Sequence, residues 1–164
     1  MATGAEKQVM VVGIDESDHS LYALRWTIDR FFAPFSPNPP FKLVLVHAKP
    51  HPAKAGLHGP AAAATAEVIT YIDKDLKVMS ARVTKKAKGI CSRRSIQDVT
   101  VEVVEGDPRT VLCESTERHR ASVLVVGSRG YGAIKRAVLG SVSDYCAHHA
   151  RCTVMIVKKP NIKN

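Results

Sequence analysis

Glycines and serines in residues 127–143 are spaced in a way that suits the binding of phosphate. Gly127 ends the apolar run SVLVVG and Gly130 follows it, and after nine further residues Gly140 and Ser141 begin a helical pattern. Glycines let backbone N–H groups approach a phosphate where a side chain would block them. A helix N-terminus adds free N–H groups and the positive end of the helix dipole, and the Ser141 and Ser143 hydroxyls are further donors. The pattern predicts an anion site between a strand and a helix.

Two better-known phosphate-binding motifs do not match this stretch. Ala133 stands where a Walker A loop requires lysine, and Lys135 stands where a dinucleotide-binding loop requires its third glycine. From the glycines alone, a structural interpretation is equally good. Gly127 and Gly130 would then serve only the turn, and Ser141 would cap its helix.

A carboxylate at the end of another apolar run favours the ligand site. Asp15 closes the run VMVVGID near the N-terminus. In a parallel sheet of order 3-2-1-4-5, ligands bind where the strand order reverses, between the first and fourth strands. Asp15 and Gly127 would face each other there. The alternative for Asp15 is a capping role in the following helix.

The elements that must position these residues alternate between strand and helix. Four apolar runs are dense in Val, Ile and Leu, as buried parallel strands are, and a fifth alternates partly, as an edge strand does. The predicted strands are 8–15, 41–48, 98–106, 122–127 and 152–158. The predicted helices are 17–32, 61–89, one starting at the Asp107-Pro108 cap, and one from 140 or 141 to about 150. This order predicts a doubly wound α/β fold with a five-stranded parallel sheet and helices on both faces.

Composition indicates one globular domain. The 164 residues are 45% hydrophobic and 24% charged, so we expect a single domain over 1–164 with a core of about 7–159. No apolar stretch is long enough to span a bilayer, and the N-terminus lacks a secretory layout, so we expect a soluble intracellular protein without membrane partners. The net charge of +9 admits nucleic acid as a partner. However, the densest basic segment, 77–95, has no aromatic residue and keeps helical spacing, which favours a solvated helix face.

Cysteines and histidines form no clear metal-binding pattern. Cys146 and His149 would share a helical face, but His148 points away and Cys152 lies in the next strand, so packing and surface placement are favoured over zinc. No C-x-x-C pair occurs, and reduced thiols are expected. Three further histidines on or near the loop after the second strand are either pocket residues or, as we favour, solvated: His47, His51 and His58.

With these motifs the chain resembles the universal stress protein family, specifically its nucleotide-binding branch. The family motif G-x-x-G-x9-G-[ST] is matched by Gly127, Gly130, Gly140 and Ser141. Similarity extends from VMVVGIDES through LVLVHA and VEGDPR to the last strand, and GYGAIKRAVLGSVSDYCAHHA resembles plant members in particular.

The resemblance implies a strand order of 3-2-1-4-5, a homodimer, and ATP, AMP or ADP as the ligand, with Mg²⁺ at the phosphates as an option. The residues implied for adenine and ribose are Ile14, Asp15 and Val46. Those implied for the phosphates are Gly127, Arg129, Gly130, Gly140, Ser141, Val142 and Ser143. Among these Arg129 departs from the family, whose members commonly carry histidine at that position.

The resulting functional hypothesis is a nucleotide-dependent module of stress response or signalling, in the cytoplasm or also the nucleus. A weak ATPase or phosphotransferase is the alternative, although Asp144, the carboxylate nearest in sequence to the phosphates, has no identified catalytic partner. A nucleic-acid-binding protein rests on net charge alone. The last strand would lie at a sheet edge, and pairing with its own copy would cover it. The residues expected at that dimer contact are Val154, Met155, Ile156 and Val157.

Overall fold

The structure, a computed structural model, describes residues 4–54, 65–129 and 139–160. Within these residues, strands and helices alternate as predicted, with a short 3₁₀ turn, Ala33–Phe35, after the first helix. The strands are β1 (Gln8–Gly13), β2 (Phe41–Lys49), β3 (Val99–Glu105), β4 (Val123–Gly127) and β5 (Thr153–Val157). The helices are α1 (Asp18–Phe31), α2 (Ala66–Arg93), α3 (Pro108–Arg118) and α4 (Ser141–His149).

The strands form one parallel sheet in the order β3-β2-β1-β4-β5, which confirms the predicted fold class. β1 lies at the centre and pairs with β2 on one side and with β4 on the other. From β1 the chain adds β2 and β3 on one side, and it then crosses to the other side of β1, where it adds β4 and β5. The strand order therefore reverses between β1 and β4, where a crevice is expected at the carboxyl ends.

Apolar side chains of the sheet alternate between two cores. Met10 and Val12 of β1 pack with residues of α1 and α2, such as Leu24, whereas Val11 packs with residues of α3 and α4, such as Leu112. Successive side chains of a strand point to opposite faces, so the densely apolar runs of the central strands fill both cores. These two layers hold the strand ends in fixed positions.

α2 is longer than the strands it covers, and its apolar stripe is only partly buried. It begins at Ala66, capped by the Thr65 side chain, and ends at Arg93, four residues beyond the predicted end. The predicted stripe is Ile69, Ile72, Leu76, Met79 and Val83, of which only Val83 is buried. A helix of 28 residues is about 42 Å long, whereas the seven-residue β3 is about 23 Å long. The buried positions of α2 are therefore confined to its second half.

Candidate functional site

A cleft of about 700 Å³ opens at the carboxyl ends of β1 and β4, where the strand order reverses. The predicted site residues that line it are Ile14, Asp15, Val46, Gly127, Arg129, Gly140, Ser141, Val142 and Ser143. Gly130 lies outside the described residues. The fold thus brings together residues that are up to 129 positions apart in sequence.

Further lining residues were not predicted from the sequence, because their positions depend on strand length and helix orientation. They are Gly13, Glu16, Ser20, Ala48, Pro50, Met79, Pro108, Leu112, Val126 and Leu139. His47 also lines the cleft, which was the alternative not favoured for it. Most of the further residues are apolar. Val46 and Ala48 come from β2, on one side of β1, whereas Gly140 and the first turn of α4 follow β4, on its other side. The β2 side supplies apolar surface for a flat ring, and the α4 side supplies N–H groups for an anion.

The N-terminus of α4 presents uncapped N–H groups to the cleft. Its N-cap is Gly140, which has no side chain to accept from the first turn, whereas α1, α2 and α3 are each capped by a side chain. The N–H of Asp144 donates to the Gly140 carbonyl at 3.0 Å and begins the helical ladder. The preceding N–H groups, of Ser141, Val142 and Ser143, therefore have no acceptor within the helix. The interpretation that Ser141 caps the helix is wrong, because the cap is Gly140.

Ser143 fixes the start of α4 to the end of β4. Its hydroxyl is buried and donates to the carbonyls of Ser128 and Gly140, at 3.2 and 3.0 Å. The Ser128 carbonyl also accepts the Gly140 N–H at 2.8 Å. The expectation that the Ser143 hydroxyl donates to a ligand therefore competes with bonds that it already makes, and its backbone N–H is the group left for an anion.

Gly127 is required by packing. A Cβ atom at this position would lie 2.8 Å from the carbonyl carbon of His19 and 2.9 Å from its oxygen, both in the first turn of α1. No side chain fits at such distances without a shift of the backbone. The structural reason for Gly127 is therefore close packing against α1, whereas the interpretation made from the sequence was a turn.

Asp15 is fixed in the turn that leads into α1. One of its carboxylate oxygens accepts the Ser17 N–H at 2.8 Å and also contacts the Ser17 hydroxyl. Ser17 in turn caps α1 by accepting the N–H of Ser20 at 3.1 Å. Asp15 therefore orients the capping residue and is not itself the cap. Its second carboxylate oxygen makes no hydrogen bond to the described residues.

His47 is a buried residue of β2, so the expectation of a solvated loop histidine is wrong for it. The Ile14 carbonyl, which can only accept, lies 3.0 Å from its Nδ1, so Nδ1 donates; Nε2 accepts from the Ser80 hydroxyl at 3.1 Å. His47 already lies within the predicted strand 41–48, and the cause of its burial is that α2 covers this part of β2, as the bond to Ser80 shows. His51 is exposed and pairs with Glu105 at 3.3 Å, and His58 lies outside the described residues.

The backbone at the apolar end of the cleft is already paired. The Ile14 N–H donates to the Val46 carbonyl at 2.9 Å, and the Ile14 carbonyl accepts from His47. A ligand ring at this end can therefore use the spare lone pairs of carbonyls, but it cannot use the N–H of Ile14.

Asp107 and Arg109 form an ion pair where α3 begins beside the cleft. The Asp107 carboxylate caps α3 by accepting the Arg109 N–H at 2.9 Å, and it accepts from Nε and Nη2 of the Arg109 side chain, each at 3.0 Å. The Arg109 guanidinium holds the pKa of Asp107 below its usual value. Pro108, between them, lines the cleft.

The sequence candidates for metal binding and catalysis do not converge on the cleft. Within 4–54, 65–129 and 139–160, no three His, Cys, Asp or Glu side chains are grouped to hold a metal ion. Cys146 lies in the core, where burial raises the pKa of its thiol to about 12. Asp144 is exposed and is not among the residues that line the cleft. Its Oδ1 lies 3.8 Å from Nδ1 of His148.

In the part of the chain that the structure describes, no helix is both long and apolar enough to cross a membrane.

The sequence of this chain is similar to members of one protein family. Residues 7–158 match the sequence model of the universal stress protein family. Universal stress protein PHOS34 of Arabidopsis thaliana is 31% identical over 97% of this chain, and the chain spans 65% of the length of that relative.

Solved structures agree with the fold. Universal stress protein UspA from Lactobacillus plantarum superposes with a TM-score of 0.74 at 17% identity, over 93% of this chain and 99% of that one. An Arabidopsis thaliana family member with AMP bound superposes with a TM-score of 0.64 at 23% identity, over 93% of this chain and 92% of that one. A universal stress protein in complex with cAMP superposes with a TM-score of 0.62 at 25% identity, over 92% of this chain and 96% of that one. By its sequence and its fold, this chain belongs to the universal stress protein family.

Proposed function

We propose that this protein binds an adenine nucleotide in the cleft and acts as a nucleotide-dependent module in stress response or signalling. The observation that carries the proposal is the uncapped N-terminus of α4 in a cleft whose lining is otherwise mostly apolar. Nucleotide complexes of related proteins, with AMP and with cAMP, support the same ligand class.

Each part of a nucleotide has a matching region in the cleft. The N–H groups of Ser141, Val142 and Ser143 suit a phosphate, and the Asp15 carboxylate suits ribose hydroxyls. The base would lie in the apolar region beside Val46. ATP is proposed as the ligand, with AMP and ADP as alternatives. Mg²⁺ would be held mainly through the phosphates, since the described residues provide no metal site of their own.

The first test is titration calorimetry with AMP and ATP. Gly140→Val is expected to abolish binding, because a branched side chain would stand where the phosphate approaches the N–H groups of α4. Ser141→Ala removes one exposed hydroxyl and is expected to weaken binding by about 1.5–3 kcal/mol. Unchanged affinity in Gly140→Val, in a protein with wild-type stability, would show that the ligand does not bind at this helix. Mass spectrometry of the nucleotide released from freshly purified protein identifies the natural ligand.

A further inference from the structure

We propose that Cys113 and Cys146 form a disulfide when the protein is exposed to hydrogen peroxide, so that the contact between α3 and α4 is a site of reversible oxidation. The inference goes beyond the proposed function and does not depend on nucleotide binding. It rests on the arrangement of the cysteines in the fold, for which the sequence gave only the expectation of reduced thiols.

Three of the four cysteines lie on one side of the sheet, where α3, α4 and the start of β5 meet. Cys146 of α4 is fully buried there. Cys113 of α3 and Cys152, which immediately precedes β5, pack against the same core. Cys91 of α2 is buried in the core on the opposite side of the sheet. The fold thus brings together three thiols that no C-x-x-C spacing marks in the sequence.

The thiols of Cys113 and Cys146 are in direct contact. A hydrogen bond joins them, in which the Cys146 S–H donates to the Cys113 sulfur. The Cys152 thiol is instead hydrogen-bonded to the side chain of Thr116, three residues further along α3. Because α3 packs against α4, the two helices hold the sulfur atoms of Cys113 and Cys146 side by side. A disulfide holds its sulfur atoms about 2.05 Å apart, so these two must approach each other further before the bond closes.

Cys113 is the thiol of this pair that peroxide reaches first. It is partly exposed, whereas Cys146 is fully buried. Burial raises the pKa of the Cys113 thiol, the hydrogen bond from Cys146 opposes that rise, and Cys152 and Glu117 add to it. Burial raises the pKa of Cys146 to about 12, so Cys113 loses its proton first and is the nucleophile. Both pKa values lie above neutrality, so the reaction at neutral pH is slow and requires sustained peroxide.

The reaction consumes one peroxide for each disulfide. The Cys113 thiolate attacks one oxygen of hydrogen peroxide, an S–O bond forms, the O–O bond breaks, and the departing hydroxide takes up the proton that Cys113 released. The Cys146 sulfur then attacks the sulfur of this sulfenic acid, so that an S–S bond forms and the S–O bond breaks. The second hydroxide takes up the Cys146 proton and leaves as water. The two sulfur atoms together lose two electrons, which reduce the peroxide to two molecules of water.

The disulfide would join two walls of the cleft. Leu112, next to Cys113, lines the cleft from α3, and Val142, four residues before Cys146, lines it from α4. A disulfide permits only a narrow range of separations and dihedral angles, so it would hold the two helices in a fixed relation. Oxidation would thereby act on the cleft although neither cysteine lines it.

The test is peptide mass spectrometry of the full chain, with free thiols alkylated, before and after prolonged treatment with hydrogen peroxide. We expect the wild type to lose two of its four thiols and to yield a Cys113–Cys146 disulfide that dithiothreitol reverses. Cys113→Ser should keep its remaining thiols. In Cys146→Ala the Cys113 sulfenic acid should persist and react with dimedone. The control is Cys91→Ala, in the opposite core, which should form the disulfide as the wild type does.

The wild-type peptide map decides the question even if Cys146→Ala does not fold. Four thiols that stay free, a disulfide between two molecules, or one that includes Cys152 would overturn the inference. A Cys113→Ser protein that loses thiols as fast as the wild type would also overturn it. The rate of oxidation should rise with pH, because only the thiolate attacks, and a rate independent of pH would exclude Cys113 as the nucleophile. None of these measurements involves a nucleotide, so a negative result leaves the proposed function in place.

Discussion

Gly127 and Gly140 belong to one sequence motif but are small for different reasons, and substitution should separate them. Gly127→Ala would bring a Cβ atom to 2.8 Å from the His19 carbonyl carbon, so α1 and β4 would have to move apart. We expect a loss of about 1–3 kcal/mol in the free energy of unfolding, measured by urea denaturation. Gly4→Ala is the control, since its Cβ would meet nothing within 4 Å. A Gly127→Ala protein as stable as this control would contradict the packing argument.

The two serines at the start of α4 should also differ. Ser143→Ala removes the buried hydroxyl that joins Ser128 to Gly140, and we expect it to lower the free energy of unfolding by about 1 kcal/mol. Ser141 is exposed, so its replacement by alanine should leave stability unchanged and act on nucleotide affinity instead. Denaturation and calorimetry on both variants test the assignment. An equal loss of stability in both would show that the two hydroxyls are not distinguished by burial.

Nine of the described residues that line the cleft could be predicted from sequence, because a motif and the strand ends mark them. The burial of His47 could not. It depends on α2 packing over β2, where the Ser80 hydroxyl meets the imidazole ring. This relation leaves no local pattern, since it is a contact between elements that are distant in the chain.

At the scale of elements, a charged cluster joins β2 to α2 and makes stability depend on pH. Lys49 is largely buried, and its Nζ lies 2.7 Å from the Asp73 carboxylate. Hydrogen bonds from Lys49 and from Lys77 hold the pKa of Asp73 below its usual value. The folded pKa is thus lower than the unfolded one, so this carboxylate stabilises the fold above the unfolded value of 3.8. The stabilisation is lost as the pH falls from there through the folded pKa.

The variant Asp73→Asn tests this dependence of stability on pH. At neutral pH the variant should be less stable than the wild type, and the difference should shrink as the pH falls below the unfolded pKa and vanish below the folded pKa. Urea denaturation across that range measures it. Asp75→Asn is the control, because Asp75 lies on the same helix and makes no ion pair among the described residues. If the difference in the free energy of unfolding between wild type and Asp73→Asn persisted at low pH, the stabilisation would not come from the charge of the Asp73 carboxylate.

The elements themselves were predicted well where burial is two-sided. The densely apolar runs of β1, β2 and β4 fill two cores, so their pattern could hardly indicate anything else. The first half of α2 was predicted as a helix with an apolar stripe, but helical periodicity does not tell how much of the stripe finds a partner. That depends on the length of the sheet beneath it.

At the scale of the whole molecule, β5 is the edge that favours self-association. Its residues TVMIV carry no charge, whereas the opposite edge strand, β3, includes Glu102 and Glu105, which discourage pairing. We therefore retain the proposal of a homodimer through β5, in which two copies pair about a two-fold axis.

Proline substitution in β5 should weaken this dimer in a way that the sheet geometry specifies. The Val157 carbonyl accepts the Ser128 N–H at 3.0 Å, so Val157, and with it Met155, direct their backbone groups toward β4. Ile156 then directs its N–H toward the free edge. Ile156→Pro should therefore shift sedimentation equilibrium toward monomer with little change in monomer stability. Met155→Pro should destabilise the sheet itself. A wild-type monomer at micromolar concentrations, or a dimer insensitive to Ile156→Pro, would exclude the β5 contact.

The bond between the Ser128 carbonyl and the Gly140 N–H also bears on protein engineering. It joins the residues on either side of 129–139 and fixes the start of α4 against the end of β4. Lengthening a chain segment whose ends are held together costs only about 0.6 kcal/mol for each doubling. A fluorescent or epitope-bearing peptide inserted between residues 131 and 138 should therefore leave the phosphate end of the cleft assembled, which makes this segment the natural place to build a nucleotide biosensor.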